Sequence, residues 1–277
     1  MMLRRLFTLL FAGALLATPI AAQTLDEVIA KNLEARGGEA KLRALSSLKA
    51  TGKMTMGPGM EAPFTFEWVS PNSIRMEITL QGMTLVQAFD GKSGWMINPF
   101  QGKKEPEVLS AEDLKDVEDQ ADILGVLLDW KKKGHQVELV GKETVEGTEA
   151  YKLKVLKKNG DTEIIYLDAD AYLPFKEEGK RKIRGQEIEI ETSVGDYKEV
   201  GGLVFAHSYD SKPKGAPQGQ AMTLEKIELG VAIPAERFVM PEVKKEEPKP
   251  EPGKGEEKPP QKQDDKKSDE KPGGGLR

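Results

Sequence analysis

The sequence predicts an α+β domain: a long antiparallel sheet that curls, with an amino-terminal helix pair and one mid-chain helix covering its apolar concave face. Three observations lead there. Apolar and polar residues alternate at a period of two through many short runs separated by turn signals. A helical period appears in only two places, near the start and over 110–133. No segment repeats at a fixed interval, so a solenoid or propeller is not indicated.

The elements follow in order. Thr24-Leu25-Asp26-Glu27 matches a capping box, in which threonine and glutamate satisfy each other's free amides, so a helix starts there. Leu25, Val28, Ile29 and Leu33 follow at helical spacing; Gly37-Gly38 interrupts, and Leu42, Leu45 and Leu48 carry the stripe into a second short helix. Phe64, Phe66 and Trp68 then alternate with Thr65, Glu67 and Val69 up to a Pro71-Asn72 turn. On the return strand Ile74, Met76, Ile78 and Leu80 point one way and Arg75, Glu77 and Thr79 the other, the pattern of an antiparallel sheet with one wet face. Gln81-Gly82 turns the chain into 83–89 and Asp90-Gly91 turns it again into 94–97, making a meander. Over 110–133 Leu114, Val117, Ala121, Leu124 and Leu128 share one helical face, which Ile123, Leu127 and Trp130 widen. Lys131, Lys132 and Lys133 before Gly134 suit a helix carboxyl end. Strands are expected again at 136–140, 150–157, 163–168, 175–180, 186–194, 203–209 and 222–229, about ten to eleven in all. Ile188 and Ile190 face inward if Glu187, Glu189 and Glu191 face water.

Of the 277 residues, 1–22 read as a secretory signal peptide: Arg4 and Arg5, an apolar run from Leu6 to Leu16, then small residues before a cut after Ala22. A retained signal anchor is the alternative. The run is too short to span a bilayer as a permanent helix, so the mature chain is expected to be exported and soluble. Residues 23–241 form the domain. Residues 242–277 hold 10 Lys/Arg, 10 Asp/Glu and six prolines with almost no aliphatic side chains, so they are expected to stay a disordered tail. Loss of Arg4 and Arg5 takes the net charge from -5 to -7, which argues against nucleic acid as a partner. The absence of cysteine excludes disulfides, thiolate catalysis, cysteine-ligated metal and a cysteine-anchored lipid.

Little in the sequence suggests chemistry. His135 and His207 have no partners at ligand spacing, so no metal or other cofactor is expected. His207 and Ser208 are neighbours on one expected strand and point to opposite faces, so they cannot form a nucleophile–base pair. Asp168-Ala169-Asp170 lacks the glycine and later glutamate of a calcium loop and reads as a turn, as do Gly57-Pro58-Gly59 and Gly201-Gly202. Methionine is the informative residue. Met54, Met56, Met60, Met76, Met83 and Met96 lie in the same strand region as Phe64, Phe66, Trp68, Phe89 and Trp95; such flexible side chains suit either an adaptable greasy pocket or an ordinary core.

Trp68-Val69-Ser70-Pro71-Asn72, Asp90-Gly91-Lys92-Ser93-Gly94-Trp95 and Asn98-Pro99-Phe100 resemble, in order and spacing, the periplasmic lipoprotein carrier family of the LolA/LolB type. The stretch from Asp196 to Phe205 and the closing Phe238-Val239-Met240-Pro241 are similar to that superfamily's later strands and ending. The resemblance implies an incomplete, half-barrel antiparallel sheet closed by helices, whose apolar hollow receives acyl chains of lipoproteins on their way to the outer membrane. It also implies a periplasmic, non-enzymatic carrier working between an inner-membrane donor and an outer-membrane acceptor. Two departures stand out: Ser70 occupies the place of the arginine that serves handoff in the well-known carriers, and the missing cysteine excludes the anchored receptor type.

The expected pocket wall is Met54, Met56, Phe64, Phe66, Trp68, Met76, Ile78, Leu80, Leu85 and Trp95, with Leu124, Leu127 and Leu128 on a lid. The expected ligands are acyl chains of lipoproteins or free lipids, bound by a monomer. The alternative is an envelope-stress sensor or protein-interaction domain on the same fold. A hydrolase is disfavoured because no nucleophile and base come together.

Overall fold

The computed structural model describes residues 23–57, 59–183 and 186–242. The expected leader and all but the first residue of the expected tail lie outside them, as does the side chain of Met56. Of the two units into which the chain divides, Met1–Pro241 and Glu242–Arg277, everything below concerns the first.

Helix α1, Leu25–Ala35, begins in the expected capping box: Glu27 N donates to Thr24 Oγ1 at 3.3 Å and Thr24 N to the Glu27 carboxylate at 2.8 Å. Gly37, at φ +105°, ends it. Its α-carbon passes so close to the 201–202 turn that a Cβ there would sit 2.3 Å from the Gly202 carbonyl oxygen. Helix α2 is short, Glu39–Ala44.

Strands β1 Ser47–Gly57, β2 Met60–Val69, β3 Ser73–Leu80, β4 Met83–Phe89, β5 Gly94–Asn98 and β6 Lys103–Val108 form one meander. After α3 (Ala111–Ala121) and α4 (Trp130–Lys133), strands β7 Gln136–Val145, β8 Thr148–Leu156, β9 Thr162–Asp168, β10 Pro174–Ile183 and β11 Gln186–Gly195 form a second. A small hairpin, β12 Lys198–Val200 with β13 Leu203–Phe205, stands apart, and β14 Ser208–Pro213 and β15 Gln220–Leu229 return to the sheet. The order is β6-β5-β4-β3-β2-β1-β15-β14-β11-β10-β9-β8-β7, antiparallel throughout, with β6 and β7 as unjoined edges. The expected open antiparallel sheet with few helices is therefore present, but among the described residues it has 13 strands rather than ten or eleven.

The extra strands were hidden for physical reasons. The inner face of β1 carries Leu48, Ala50 and Gly52 ahead of Met54, so alternation is faint, and Leu48 happens to fall at helical spacing from Leu45. Strand β6, Lys-Lys-Glu-Pro-Glu-Val, is a charged edge, the kind that discourages further pairing. The expected 203–209 strand is two, split at Ala206-His207, where His207 N donates to the Gly195 and Asp196 carbonyl oxygens at 3.1 Å each. His207 is buried there, its Nδ1 3.1 Å from Phe205 O, as a structural residue.

The mid-chain helix also needs correction. It is broken: α3 ends at Ala121 and a turn over 122–129 precedes the single turn of α4. Gly125 sits at φ +82° and Asp129 at +57°, and Lys133 Nζ reaches back to the Asp122 carboxylate at 2.6 and 2.7 Å and to Gly125 O at 2.8 Å. These polar ties favour a turn over the α-helix that the leucine spacing suggested.

The main core joins both meanders. Val28, Ile29, Leu33 and Leu42 of the helix pair and Val117 and Ala121 of α3 belong to the same buried cluster as Leu48, Trp68, Ile74 and Phe89 on one side and Leu153, Ile165 and Leu167 on the other. Burial of each such large side chain is worth roughly 1.5–3 kcal/mol.

Candidate functional site

The inner face of the sheet is set by register. Phe64 pairs with Ile78, Phe66 with Met76 and Trp68 with Ile74; Ile78 in turn pairs with Leu85, and Met54 with Met222. Residues opposite one another share a face, so these side chains form one apolar surface. Within it Met54, Phe64 and Ile78 are buried, while Phe66, Met76, Leu80, Leu85, Met222 and Leu224 pack around them only partly buried. Phe66 and Leu224 pack against both this cluster and the main core, and among the described residues neither helix segment contributes to the cluster.

Two members of the expected wall lie elsewhere. Trp68 is fully buried in the main core, with Nε1 donating to Ala121 O at 3.0 Å. Trp95 pairs with Ala88, which pairs with Arg75; it therefore faces the opposite side of the sheet. There it donates to Phe238 O at 2.8 Å and lies under the Arg75 guanidinium, 5.4 Å from its ring centre. The expected lid leucines are in the 122–129 turn: Leu127 and Leu128 are buried in the main core and Leu124 packs against it.

Beside the apolar surface, on the same face, is a cavity of about 370 Å³. Its floor is Ile165, Ile190, Thr192, Val194 and Tyr209 from β9, β11 and β14. Its walls include Asn32 of α1, the adjoining Arg36, and Ile123, Val126 and Leu127 of the mid-chain turn. Register makes it continuous with the apolar surface, because Tyr209 of the floor pairs with Met222. Its volume lies toward the small end of ligand pockets.

The cavity is polar at its rim. Burial is the largest influence on Arg36 and lowers its pKa, against the pull of Tyr197, Tyr209, Asp122 and Glu177; Nη1 donates to Leu124 O at 2.7 Å. Tyr197 donates to Pro174 O at 2.6 Å and burial pushes its hydroxyl pKa far up; the same cause raises that of Tyr209 to about 12. Burial works against the Lys157 charge, but Glu163 at 2.8 Å and Asp119 at 3.1 Å outweigh it and raise the lysine's pKa. Asn32 donates through Nδ2 to Tyr172 O at 2.7 Å, which leaves Oδ1 as a buried acceptor without a partner. Among the described residues no group of three or more His, Asp or Glu could hold a metal ion, and no helix is long and apolar enough to cross a membrane. Asp168 closes a turn, accepting from Asp170 N and Ala171 N at 2.8 and 2.7 Å.

Of the expected wall, Met54, Phe64, Phe66, Met76, Ile78, Leu80 and Leu85 lie on the apolar surface, and none of them lines the cavity. The alternation at Ile188 and Ile190 was the one available signal, since Ile190 lies on the cavity floor.

No protein-family model matches the sequence, and no curated protein matches it either. Solved structures do. A putative outer membrane lipoprotein-sorting protein domain from Vibrio parahaemolyticus superposes with a TM-score of 0.51 at 12% identity, covering 76% of this chain and 94% of that one. A LolA superfamily protein from Nitrosomonas europaea gives 0.52 at 13%, covering 79% and 98%. A DUF1329 family protein from Desulfovibrio piger gives 0.53 at 10%, covering 76% and 97%. Helices on one face of an open antiparallel sheet, together with these superpositions, identify the architecture: the chain has the fold of LolA-superfamily and outer-membrane lipoprotein-sorting domains.

Proposed function

We propose that this chain is a non-catalytic carrier that holds acyl chains of lipids or lipidated proteins in its hollow, as an exported periplasmic protein cut after Ala22. The observation that carries the reading is the partly buried group Phe66, Met76, Leu80, Leu85 and Met222, aligned on one face and continuous with the cavity at the Tyr209–Met222 pair. An apolar surface of this kind exposes side chains that a monomer gains by covering. Each methylene sheltered there is worth about 0.8 kcal/mol, so a dozen give on the order of 10 kcal/mol before ordering costs. The methionines let the wall adapt to chains of different shape. The fold supports the reading, because neighbours with it carry lipoprotein-sorting and LolA names. Delivery between an inner-membrane donor and an outer-membrane acceptor fits the same reading, with a handoff that does not use the family arginine, since Ser70 stands there.

Leu80→Glu tests the site. Leu80 is only partly buried, so the variant is expected to fold, while a carboxylate at that position would need solvation that an acyl chain cannot supply. Binding of a fluorescent fatty acid should be lost with the melting transition retained. A folded variant that binds as tightly as the parent rules the surface out as the ligand wall.

A further inference from the structure

Asn32 and Arg36 are one helical turn apart, joined by the Arg36 N to Asn32 O hydrogen bond at 3.1 Å, and both line the cavity. Asn32 is 1% exposed, and its Nδ2 bond to Tyr172 O fixes which end of the amide is the acceptor; that Oδ1 meets no donor. A buried acceptor left unpaired is costly, so the position suits a group that brings a hydroxyl or N–H. Arg36 offers the complementary half. One arm of its guanidinium is used by Leu124 O, and a planar fork of five N–H donors retains capacity for an oxyanion. The acidic residues of the rim do not make the site uniformly negative, because lysines neutralise several: Lys157 binds Asp119 and Glu163, Lys115 binds Asp161, Lys133 binds Asp122, and Lys214 binds Glu178.

From this juxtaposition we infer that the cavity is a headgroup subsite for a glycerophosphate lipid: the phosphate oxygens engage Arg36, a glycerol hydroxyl donates to Asn32 Oδ1, and the acyl chain leaves past Tyr209 and Met222 onto the Phe66–Leu80 surface. The inference rests on the acyl-binding reading and adds the class of ligand. It agrees with the desolvation of the partly buried Arg36, which lowers the arginine's pKa and is offset when an anion arrives. It also assigns different tasks to the two halves of the hollow, since hydrophobic side chains build the apolar half and Arg36 lines the cavity half.

The test compares three ligands with the same lauroyl or lauryl chain, displacing one fluorescent fatty acid from the mature protein. Lysophosphatidylglycerol carries both phosphate and hydroxyls, monoacylglycerol only hydroxyls, and lauryl phosphate only the phosphate. Lysophosphatidylglycerol should bind about tenfold or more tightly than monoacylglycerol, the increment of a charge-assisted hydrogen bond, and more tightly than lauryl phosphate. Arg36→Gln should collapse the first preference, and Arg36→Lys should keep part of it. Equal affinities for lysophosphatidylglycerol and monoacylglycerol in the parent overturn the headgroup site while leaving acyl binding intact. No binding of any of the three overturns both readings. The parent comparison decides the matter even if the Arg36 variants fail to fold.

Discussion

At the scale of residues, the face a side chain occupies decides what its removal does. Trp95 and Phe66 look alike as aromatic residues in strands of the same meander, yet Phe66 pairs with Met76 on the hollow and Trp95 caps the opposite face beneath the closing segment. Trp95→Phe leaves the Phe238 carbonyl oxygen without its donor, so it should cost about 1–3 kcal/mol in chemical denaturation while fatty-acid binding stays at the parental level. The same outer face holds Arg237 against Glu67 and, at 3.1 Å, Glu77, with Arg75 on Glu77 at 2.7 Å. Burial raises the Glu77 pKa, but the two arginines outweigh it and hold the carboxyl below its ordinary 4.5. A group depressed in the folded state stabilises above its unfolded value and loses that contribution as pH falls through the folded one. The melting temperature should therefore be flat from about pH 7 to 5 and drop below about 4.5, and Glu77→Gln should flatten that acid limb.

At the scale of elements, alternation was readable wherever large side chains alternate with polar ones, as in β2 and β3. It was not readable in β1, whose inner face carries Ala50 and Gly52, or in β6, an edge with Pro106 and charges on nearly every residue. The 122–129 turn shows the opposite failure. Leu124, Leu127 and Leu128 keep a helical spacing and are packed in or against the core, but the backbone that presents them is held by Lys133 and by Gly125 in a left-handed conformation. If the segment were helical, Gly125→Ala would stabilise it by about 1 kcal/mol. In the turn, alanine must adopt φ +82° with its Cβ 3.2 Å from Arg36 Nη1. The variant should instead be destabilised by about 1 kcal/mol or more in denaturant titrations, and the sign alone separates the two conformations. The candidate site divides the same way: its apolar half was legible in β2 and β3, whereas the cavity draws polar residues from α1, the turn and four distant strands that no local pattern connects.

At the scale of the whole molecule, β14 and β15 form the junction between the two meanders, and β1 pairs with β15 by joining residues near opposite ends of the domain: Leu48 with Leu229 and Ala50 with Ile227. The hollow spans that junction, with the apolar surface mainly on one meander and the cavity on the other. The proposed path of an acyl chain across it requires the two halves to behave as one body. The main core supplies the reason they should, since a single buried cluster contains Trp68 and Phe89 from the first meander, Leu153 and Ile165 from the second, and Ile227 at the seam. Ile227→Ala is thus a test of cooperativity as well as of packing. Truncating a core isoleucine costs about 2–5 kcal/mol. If the sheet is one cooperative unit, far-ultraviolet circular dichroism, which reports strands throughout, and the fluorescence of Trp68, Trp95 and Trp130 should shift together to a lower midpoint in one coincident transition. A split, in which the tryptophan signal keeps the parental midpoint while the strand signal moves, would mean that the first meander stands alone and that the hollow is assembled from two independently folding halves.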